Sequence, residues 1–482
     1  LYAIMATALG VGLGIPLGNY LLPKIIIGSY AMLYEYPPAV TRFYKFDIIL
    51  TMVLSAITTI LPAIFTTRRS LQEVPAELMR PKPPKSGSKI LLERWKGLWS
   101  RLSFNAKVTM RNLSRYAGRN AMTAIGVAGC TILLITGYGI GNSISGLANR
   151  QFGDLFTYDA TVAYQDNDTA EDIQAFTDQF EAEEEIQGIL NIYTENLTTV
   201  DDRINEQTVK IEVFNPDDTY QDYFKFYDVK SGELLETLPE DGEVYINHKL
   251  ARLLNVKPGG SFSLEDENGQ TYEFKASRII ESYLGHNLYM SEKTYEDVTG
   301  NKDWVANSAV IKFATDDQAS RENIMSQVND QDSILGSSLI DTWRELFNNT
   351  LETLNAVTLI LVICAAMLDF IVLYSLININ VSERERELST LKVLGAKNWE
   401  VTMYIYKEVV ILVIIGILLG LIFGPLLCAY VLKTVEIDTM IFPLTINATS
   451  YLYSILLAMV FSAIVMLFMH FKIRKIDMVE AM

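Results

Sequence analysis

The chain has 482 residues, half of them hydrophobic, with a formal net charge of −17 at pH 7 and a mean hydropathy of +0.19. The apolar residues sit in long uncharged runs around one polar block, which excludes a single soluble domain and predicts a membrane protein with a large water-exposed insert. Cys130, Cys364 and Cys428 all fall inside apolar runs, where they read as small hydrophobes rather than a disulfide framework.

Residues 1–27 form the first apolar run. Gly10, Gly14 and Gly18 recur in it at every fourth position, a ladder of small residues that lets another helix approach closely, and Pro16 is expected to kink it. Leu1 opens directly in this run with no initiator Met or signal-peptide charge pattern, so the chain is expected to be part of a longer protein. A second run, residues 48–65, follows a polar loop with Pro37-Pro38 and ends at Arg68-Arg69, which marks a cytoplasmic end. From Arg68 to Arg119 there are 13 Lys and Arg against 3 Asp and Glu, with Pro81, Pro83, Pro84 and Ser86-Gly87-Ser88 as a linker. Trp95, Leu98, Trp99 and Leu102, followed by Arg111 and Arg115, predict an interfacial helix. It leads into a third span, residues 120–144, that carries the chain outward.

Residues 154–345 are of different composition, with 41 acidic against 14 basic side chains and short alternating strands between turn signals. Expected strands are 159–164, 209–214, 243–246, 261–264, 271–280 and 307–313, and expected helices 170–181, 248–254 and 320–328, an α+β domain outside the membrane. Its acidity reads either as a field for cationic peptides or simply as solubility. Three further spans follow at 348–379, 401–432 and 451–471, the last ending at Lys472-Ile473-Arg474-Lys475. Six spans threaded in order put every Lys/Arg-rich boundary on the same side.

Between two of these spans lies a charged segment, Glu383 to Lys397, with Leu388, Leu391 and Leu394 at helical spacing and Gly395 after them. It is too charged for hydrocarbon and is pinned at the cytoplasmic face, where its leucine stripe either lies on lipid or docks into a groove on another protein. The ladder Gly416, Gly420 and Gly424 then repeats that of Gly10, Gly14 and Gly18. Each ladder is followed by a polar loop, a span, a basic patch and a related closing stretch, Val74 to Arg80 and Asp477 to Met482. The chain therefore reads as the last two spans of one unit (1–80), a linker and the start of an interfacial helix (81–104), and a second unit. That unit has its first span within 105–150, an outer domain at 151–348 and three more spans at 349–482. The repeat predicts a preceding region with two more spans and a sister of the charged segment just before Leu1.

These residues resemble the FtsX-like permeases of the type VII, MacB-type, ABC transporters, in the two-repeat long form. The family pattern Arg-x-x-Glu-(Ile/Leu)-Gly-x-Leu-(Lys/Arg)-(Ala/Val)-(Leu/Met)-Gly-Ala is met by Arg384, Glu387, Leu388, Leu391, Lys392, Val393, Leu394, Gly395 and Ala396, with Ser389 where Gly is usual. Gly242, Val244, Tyr245, Ile246, Leu250, Ala251, Leu254, Val256 and Gly259 resemble the family's smaller inserted subdomain, placed at 236–304. The resemblance implies a multi-pass permease in a bacterial plasma membrane, with residues 383–397 as the helix that couples to a dimer of ABC ATPases. Outside the membrane it implies a peptide, lipoprotein or hydrolase partner, and it implies no nucleic acid. A non-transport regulator or receptor controlling a cell-wall hydrolase is the alternative.

The chain has no Gly-x-x-x-x-Gly-Lys-Ser/Thr loop, so ATP and Mg are expected on partner subunits and no cofactor on this one. His248, His286 and His470 are scattered and no Cys/His spacing suits a metal. No nucleophile–base constellation predicts an enzyme. Two intramembrane polar residues stand out. Asp369 reads as a functional acid between spans or as a structural acid within the bundle, and Glu408 lies nearer the interface, where snorkelling suffices.

Overall fold

The computed structural model describes residues 2–21, 23, 45–72, 100, 104–115, 117–201, 203–215, 219–383, 389, 392–393, 395 and 397–474. The chain is an α-helical membrane protein with an inserted α+β domain. It divides into two compact units: a helical one comprising residues 1–138, 352–427 and 447–482, and an outer one comprising residues 139–351 and 428–446.

The helical unit follows the apolar runs. Helix α1 (Tyr2–Pro16) passes at its proline into a π-helical turn, Leu17–Leu21, as expected where a residue cannot donate to the helical ladder. Helices α2 (Lys45–Gln72), α3 (Phe104–Arg115) and α4 (Ala117–Asn149) follow. Among the described residues five helices are long and apolar enough to cross a membrane, at Lys45–Phe65, Asn120–Leu155, Thr358–Ile379, Trp399–Val435 and Ala448–Phe471. The sixth expected span corresponds to α1 and its π turn, which are shorter. Trp95, Leu98, Trp99 and Leu102 of the expected interfacial helix lie outside the described residues. The bundle core collects Val127, Cys130 and Leu134 of α4 with Ala365, Leu373, Val409, Val413, Ala458 and Val465. Other large apolar residues, such as Leu359, Ile363, Leu418, Ile422, Leu452 and Leu456, point outward, so these helices are apolar all round, as lipid requires.

In the outer unit α4 ends in a second π-helical segment, Arg150–Leu155, and feeds β1 (Ala160–Tyr164). Helix α5 (Ala170–Glu181) starts at Thr169, whose side chain and Asp172 close a reciprocal capping box. Then come β2 (Ile186–Thr199), β3 (Thr208–Phe214), a small hairpin of β4 (Phe226–Tyr227) and β5 (Leu234–Leu235), β6 (Val244–Asn247), α6 (His248–Leu253), β7 (Ser261–Glu265), β8 (Thr271–Ile280) and β9 (Asn287–Ser291). Helix α7 (Glu292–Thr299), β10 (Ser308–Phe313), α8 (Gln318–Asn329) and β11 (Ile334–Leu339) complete the domain, and α9 (Ile340–Glu383) leaves it. Helices α10 (Asn398–Val435) and α11 (Ala448–Arg474) close the chain.

Nine strands form one sheet in the order β11-β1-β10-β2-β3-β9-β6-β8-β7. Three apolar cores lie along it, one of them largely aromatic and built around Phe214, Phe224, Phe226 and Tyr289, and the other two mark two lobes. One joins β1, α5, β10 and α8 through Val162, Phe176, Ile311 and Val328, and the other joins β3, β6, α6 and β8 through Ile211, Ile246, Leu250 and Phe274. Strand β2 belongs to both lobes: Ile186 to Ile192 pair with β10, and Tyr193 to Thr198 pair with β3. Asn307 pins that change of partner, accepting from the Thr194 N–H at 2.9 Å and donating to its carbonyl at 2.7 Å. The second lobe thus draws on β3 and the end of β2 as well as on residues 236–304.

Candidate functional site

In the helical unit the second glycine ladder lies against α4. A Cβ at Gly416 would stand 2.6 Å from the Val127 Cβ and 2.9 Å from the Ala124 carbonyl oxygen. At Gly420 it would meet the Thr131 Cγ2 at 2.6 Å, and at Gly424 the Ile135 Cβ at 2.9 Å. Only glycine permits this approach of α10 to α4. The first ladder is arranged differently. No described atom lies within 4 Å of the place a Cβ would occupy at Gly10, Gly14 or Gly18, and Gly10 and Gly14 line an open groove of about 420 Å³ between α1 and α2, with Asp47, Thr51 and Ser55 opposite.

Asp369 is fully buried on α9, and its Oδ2 accepts a hydrogen bond from the Ser462 hydroxyl of α11 at 3.3 Å. Its Oδ1 has no hydrogen-bond partner among the described residues, and none of their Lys or Arg side chains forms an ion pair with it. The acid therefore joins two spans through one hydrogen bond. Asp369→Asn, which keeps that acceptor and the volume, is expected to change stability by less than about 1 kcal/mol. Asp369→Lys, which puts a cation where no acceptor awaits it, is expected to cost on the order of 3 kcal/mol or more. Thermal unfolding in detergent measures both. Glu408 is buried in α10, 5% exposed.

Most of the charged segment, Arg384, Glu387, Leu388, Leu391, Leu394 and Ala396, lies outside the described residues. Within it Ser389 and Lys392 are buried, and Gly395 has φ +96°, with its N–H on the Lys392 carbonyl at 3.0 Å. That left-handed turn is the reason for a glycine there. Lys397 then opens α10, its N–H capped by the Glu400 carboxylate at 2.9 Å.

The outer unit holds a junction that sequence reasoning missed. At the outer end of α4 the Arg150 guanidinium grips Glu281 at 2.8 Å and Asp154 at 3.1 Å, and lies 4.5 Å over the Tyr227 ring. The Tyr283 N–H donates to the buried Gln151 Oε1 at 2.8 Å. At the start of α9, Asp341 meets Arg321 of α8 at 3.2 Å, and Arg344 donates to the Phe152 carbonyl. Both span-derived helices are thus fastened by charge to the domain they enter. The carboxyl of Glu281 is held below its ordinary value near 4.5: burial alone would raise it, but the hydrogen bonds from Arg150 and Tyr283 and the Arg150 charge outweigh burial. Its contribution to stability is therefore complete above pH 4.5 and is lost as pH falls through the lowered value. Unfolding followed from neutral pH to well below pH 4.5 is expected to show this loss, and Glu281→Gln is expected to flatten it.

A second attachment involves the loop between α10 and α11. Glu436 Oε1 accepts from Lys249 Nζ at 2.8 Å and from the Arg252 guanidinium, with side-chain exposures of 8% for Glu436 and 5% for Lys249. Gly285 N–H reaches the Thr439 carbonyl at 2.9 Å and Ile441 N–H the Tyr283 carbonyl at 3.1 Å. The expected helix at 248–254 is present as α6, but Glu436 is 187 residues from Lys249, and no local pattern pairs them.

Over the sheet a cavity of about 340 Å³ lies where β2 changes partners, lined among others by Thr161, Ile192, Lys210, Glu212 and Ser308. His248 and His286 sit in the second lobe and His470 on α11. Among the described residues no group of three His, Cys, Asp or Glu could hold a metal ion.

Residues 359–478 match the family model for the FtsX-like permease C-terminal domain. This stretch is similar to FtsX-like permease C-terminal domains. It takes in most of α9, the charged segment, the Gly416 ladder and α11. The periplasmic region of MacB from Actinobacillus actinomycetemcomitans is similar at 13% identity over 40% of this chain and 94% of that one, with a TM-score of 0.26. The extracellular domain of the noncanonic ABC-type transporter YknZ from Gram-positive bacteria is similar at 12% identity over 38% and 98%, with a TM-score of 0.25. Among curated proteins none matches. Inside the matched stretch lie Asp369, Glu408 and every position of the second ladder, whereas Lys249, Arg252 and Arg150 lie outside it.

Proposed function

We propose that the chain is the transmembrane permease subunit of an ATP-driven ABC system in a bacterial plasma membrane, acting by shape change of its outer domain rather than by a pore. One observation carries the reading beyond the family match. Helix α9 is continuous for 44 residues, about 66 Å, from Ile340 in the ion-paired junction of the outer domain to Glu383, where the charged segment begins. A helix of that length transmits a displacement at one end to the other. In this reading a dimer of separate ATPases binds ATP and Mg and moves the segment 383–397, with Arg384, Glu387 and the stripe Leu388, Leu391 and Leu394 as the docking face and the buried Lys392 anchoring the segment to its own chain. Gly395 turns the chain into α10, and α4 and α9 carry the movement outward.

The outer domain then expels a peptide, antibiotic or lipid-linked substrate or passes a mechanical signal to a wall hydrolase. The whole protein, expressed with its neighbouring gene products, is expected to copurify with a nucleotide-binding subunit. Reversal of charge at Arg384 and Glu387 is expected to uncouple that subunit's ATP hydrolysis from function. Copurification of no such subunit, with function intact in the charge-reversed protein, would overturn the proposal in favour of a receptor or regulator. Peptide efflux and hydrolase activation measured in one ATPase-dead background separate the two outputs.

A further inference from the structure

We propose that the loop joining α10 to α11 is a transmission clamp, through which the last pair of spans acts on the second lobe of the outer domain, with Lys249, Arg252 and Glu436 as its positioning residues. The idea rests on the permease reading for the source of the movement, and on the geometry of the loop for everything else.

The covalent connections α4–β1 and β11–α9 both enter the sheet at its β11-β1 end, in the first lobe. The second lobe, with β6, β8 and α6, lies at the other end of the strand order. Its β8–β9 turn, Glu281 to His286, is held from two sides. Arg150 and Gln151 at the end of α4 bind Glu281 and the Tyr283 N–H, and Thr439 and Ile441 of the loop exchange backbone hydrogen bonds with Gly285 and Tyr283. Leu284 and Met440 face each other there as an antiparallel bridge. Gly285 has φ +67°, which aims its N–H at Thr439, and Asn247 donates to its carbonyl at 2.8 Å. The loop is also fixed to α4: Thr445 and Ser143 exchange hydrogen bonds at 3.2 and 3.3 Å.

The ion pair makes this more than a packed loop. Lys249 and Arg252 are three residues apart on α6, so both heads fall on one face and reach the same carboxylate. A buried charge pair is a poor source of stability, because desolvation offsets most of the attraction, but losing one partner strands the other. Such a contact is close to two-state, engaged or released, and it specifies one docking position. The two lobes share strand β2, whose change of partners at Ile192 and Tyr193 is the natural bending point, and the 340 Å³ cavity lies over it. A displacement of α10 and α11 that pulls on this loop would therefore bear on the second lobe, with β2 as its bending point.

The Gly285 and Ile441 amides report the clamp directly, since each donates across it. Hydrogen exchange would be followed in the full protein with its ATPase subunits, with and without a non-hydrolysable ATP analogue. In Glu436→Gln these two amides are expected to exchange about tenfold faster, while Ile311 and Val310 of the first lobe keep their wild-type rates. The nucleotide-dependent change in α6 and β9 is expected to vanish, although ATP is still hydrolysed. Lys249→Glu with Arg252→Gln and Glu436→Lys, which rebuilds one pair in reverse, is expected to restore it. Unchanged exchange at Gly285 and Ile441, or a nucleotide response that survives Glu436→Gln, overturns the clamp. If no ATPase subunit copurifies, the permease reading fails on that ground, and the two amides in the chain alone still decide whether Glu436 holds the loop.

Discussion

Gly416→Ala is expected to destabilise the helical unit, and Gly10→Ala to leave it unchanged or slightly firmer. In a helix interior alanine is favoured over glycine by up to about 1 kcal/mol, because glycine loses more backbone freedom on folding. At Gly10 no described atom lies within 4 Å of the new methyl group, so that gain is unopposed. At Gly416 the methyl carbon would stand 2.6 Å from the Cβ of Val127 and 2.9 Å from the Ala124 carbonyl oxygen, neither of them the far end of a flexible side chain. Relief requires α10 to move away from α4, and overpacking of this kind costs roughly 1–3 kcal/mol. The costs are expected to compound in Gly416→Ala with Gly420→Ala, because the two sites press on the same face of α4. Thermal unfolding of the purified chain in detergent gives the sign at each position; a stabilised Gly416→Ala would show that the two helices are not in van der Waals contact there.

The two ladders are alike in sequence and differ in surroundings, and that difference marks what a sequence can show. Periodicity revealed the apolar runs and the small-residue spacing, because both are local. It did not say that the second ladder meets Val127 and Thr131 while the first borders a groove. The outer domain behaves similarly. Strands with one wet face, such as β8, alternate and are legible. Strand β2 is not, because it serves three cores through Ile189, Leu190 and Leu197 and carries Gly188, Asn191 and Glu195 along the way. All five residues of β9 are buried, so no alternation exists to detect. At β11, Gly336, Ser337 and Ser338 on an edge strand give no apolar signal. Asp369 stood out as a lone charge in an apolar run, but its partner Ser462 is one unremarkable serine among many. The Lys249–Glu436 pair is silent in sequence for the same reason: ion pairs between distant segments leave no periodic trace.

Thr350→Pro is expected to disconnect the outer domain from its drive. Residue 350 lies in α9, beyond Arg344 of the junction and before the bundle core residue Ala365. Proline there removes one helical hydrogen bond and forces its ring against the preceding turn, at about 3 kcal/mol or more in a helix interior. That lowers the population of straight, continuous α9 roughly a hundredfold relative to its broken forms. The ends of the helix keep their own supports: Asp341 and Arg344 remain in the ion-paired junction, and Asp369 remains bonded to Ser462. ATPase binding and hydrolysis should therefore persist while the nucleotide-dependent change in the outer domain is lost. Thr350→Ala, which preserves the helix, should retain that change. Hydrogen exchange across the outer sheet in the assembled complex reads both variants. If Thr350→Pro still transmits the response with the helix visibly broken, α9 is a tether and the displacement must travel through α4 or through the Glu436 loop.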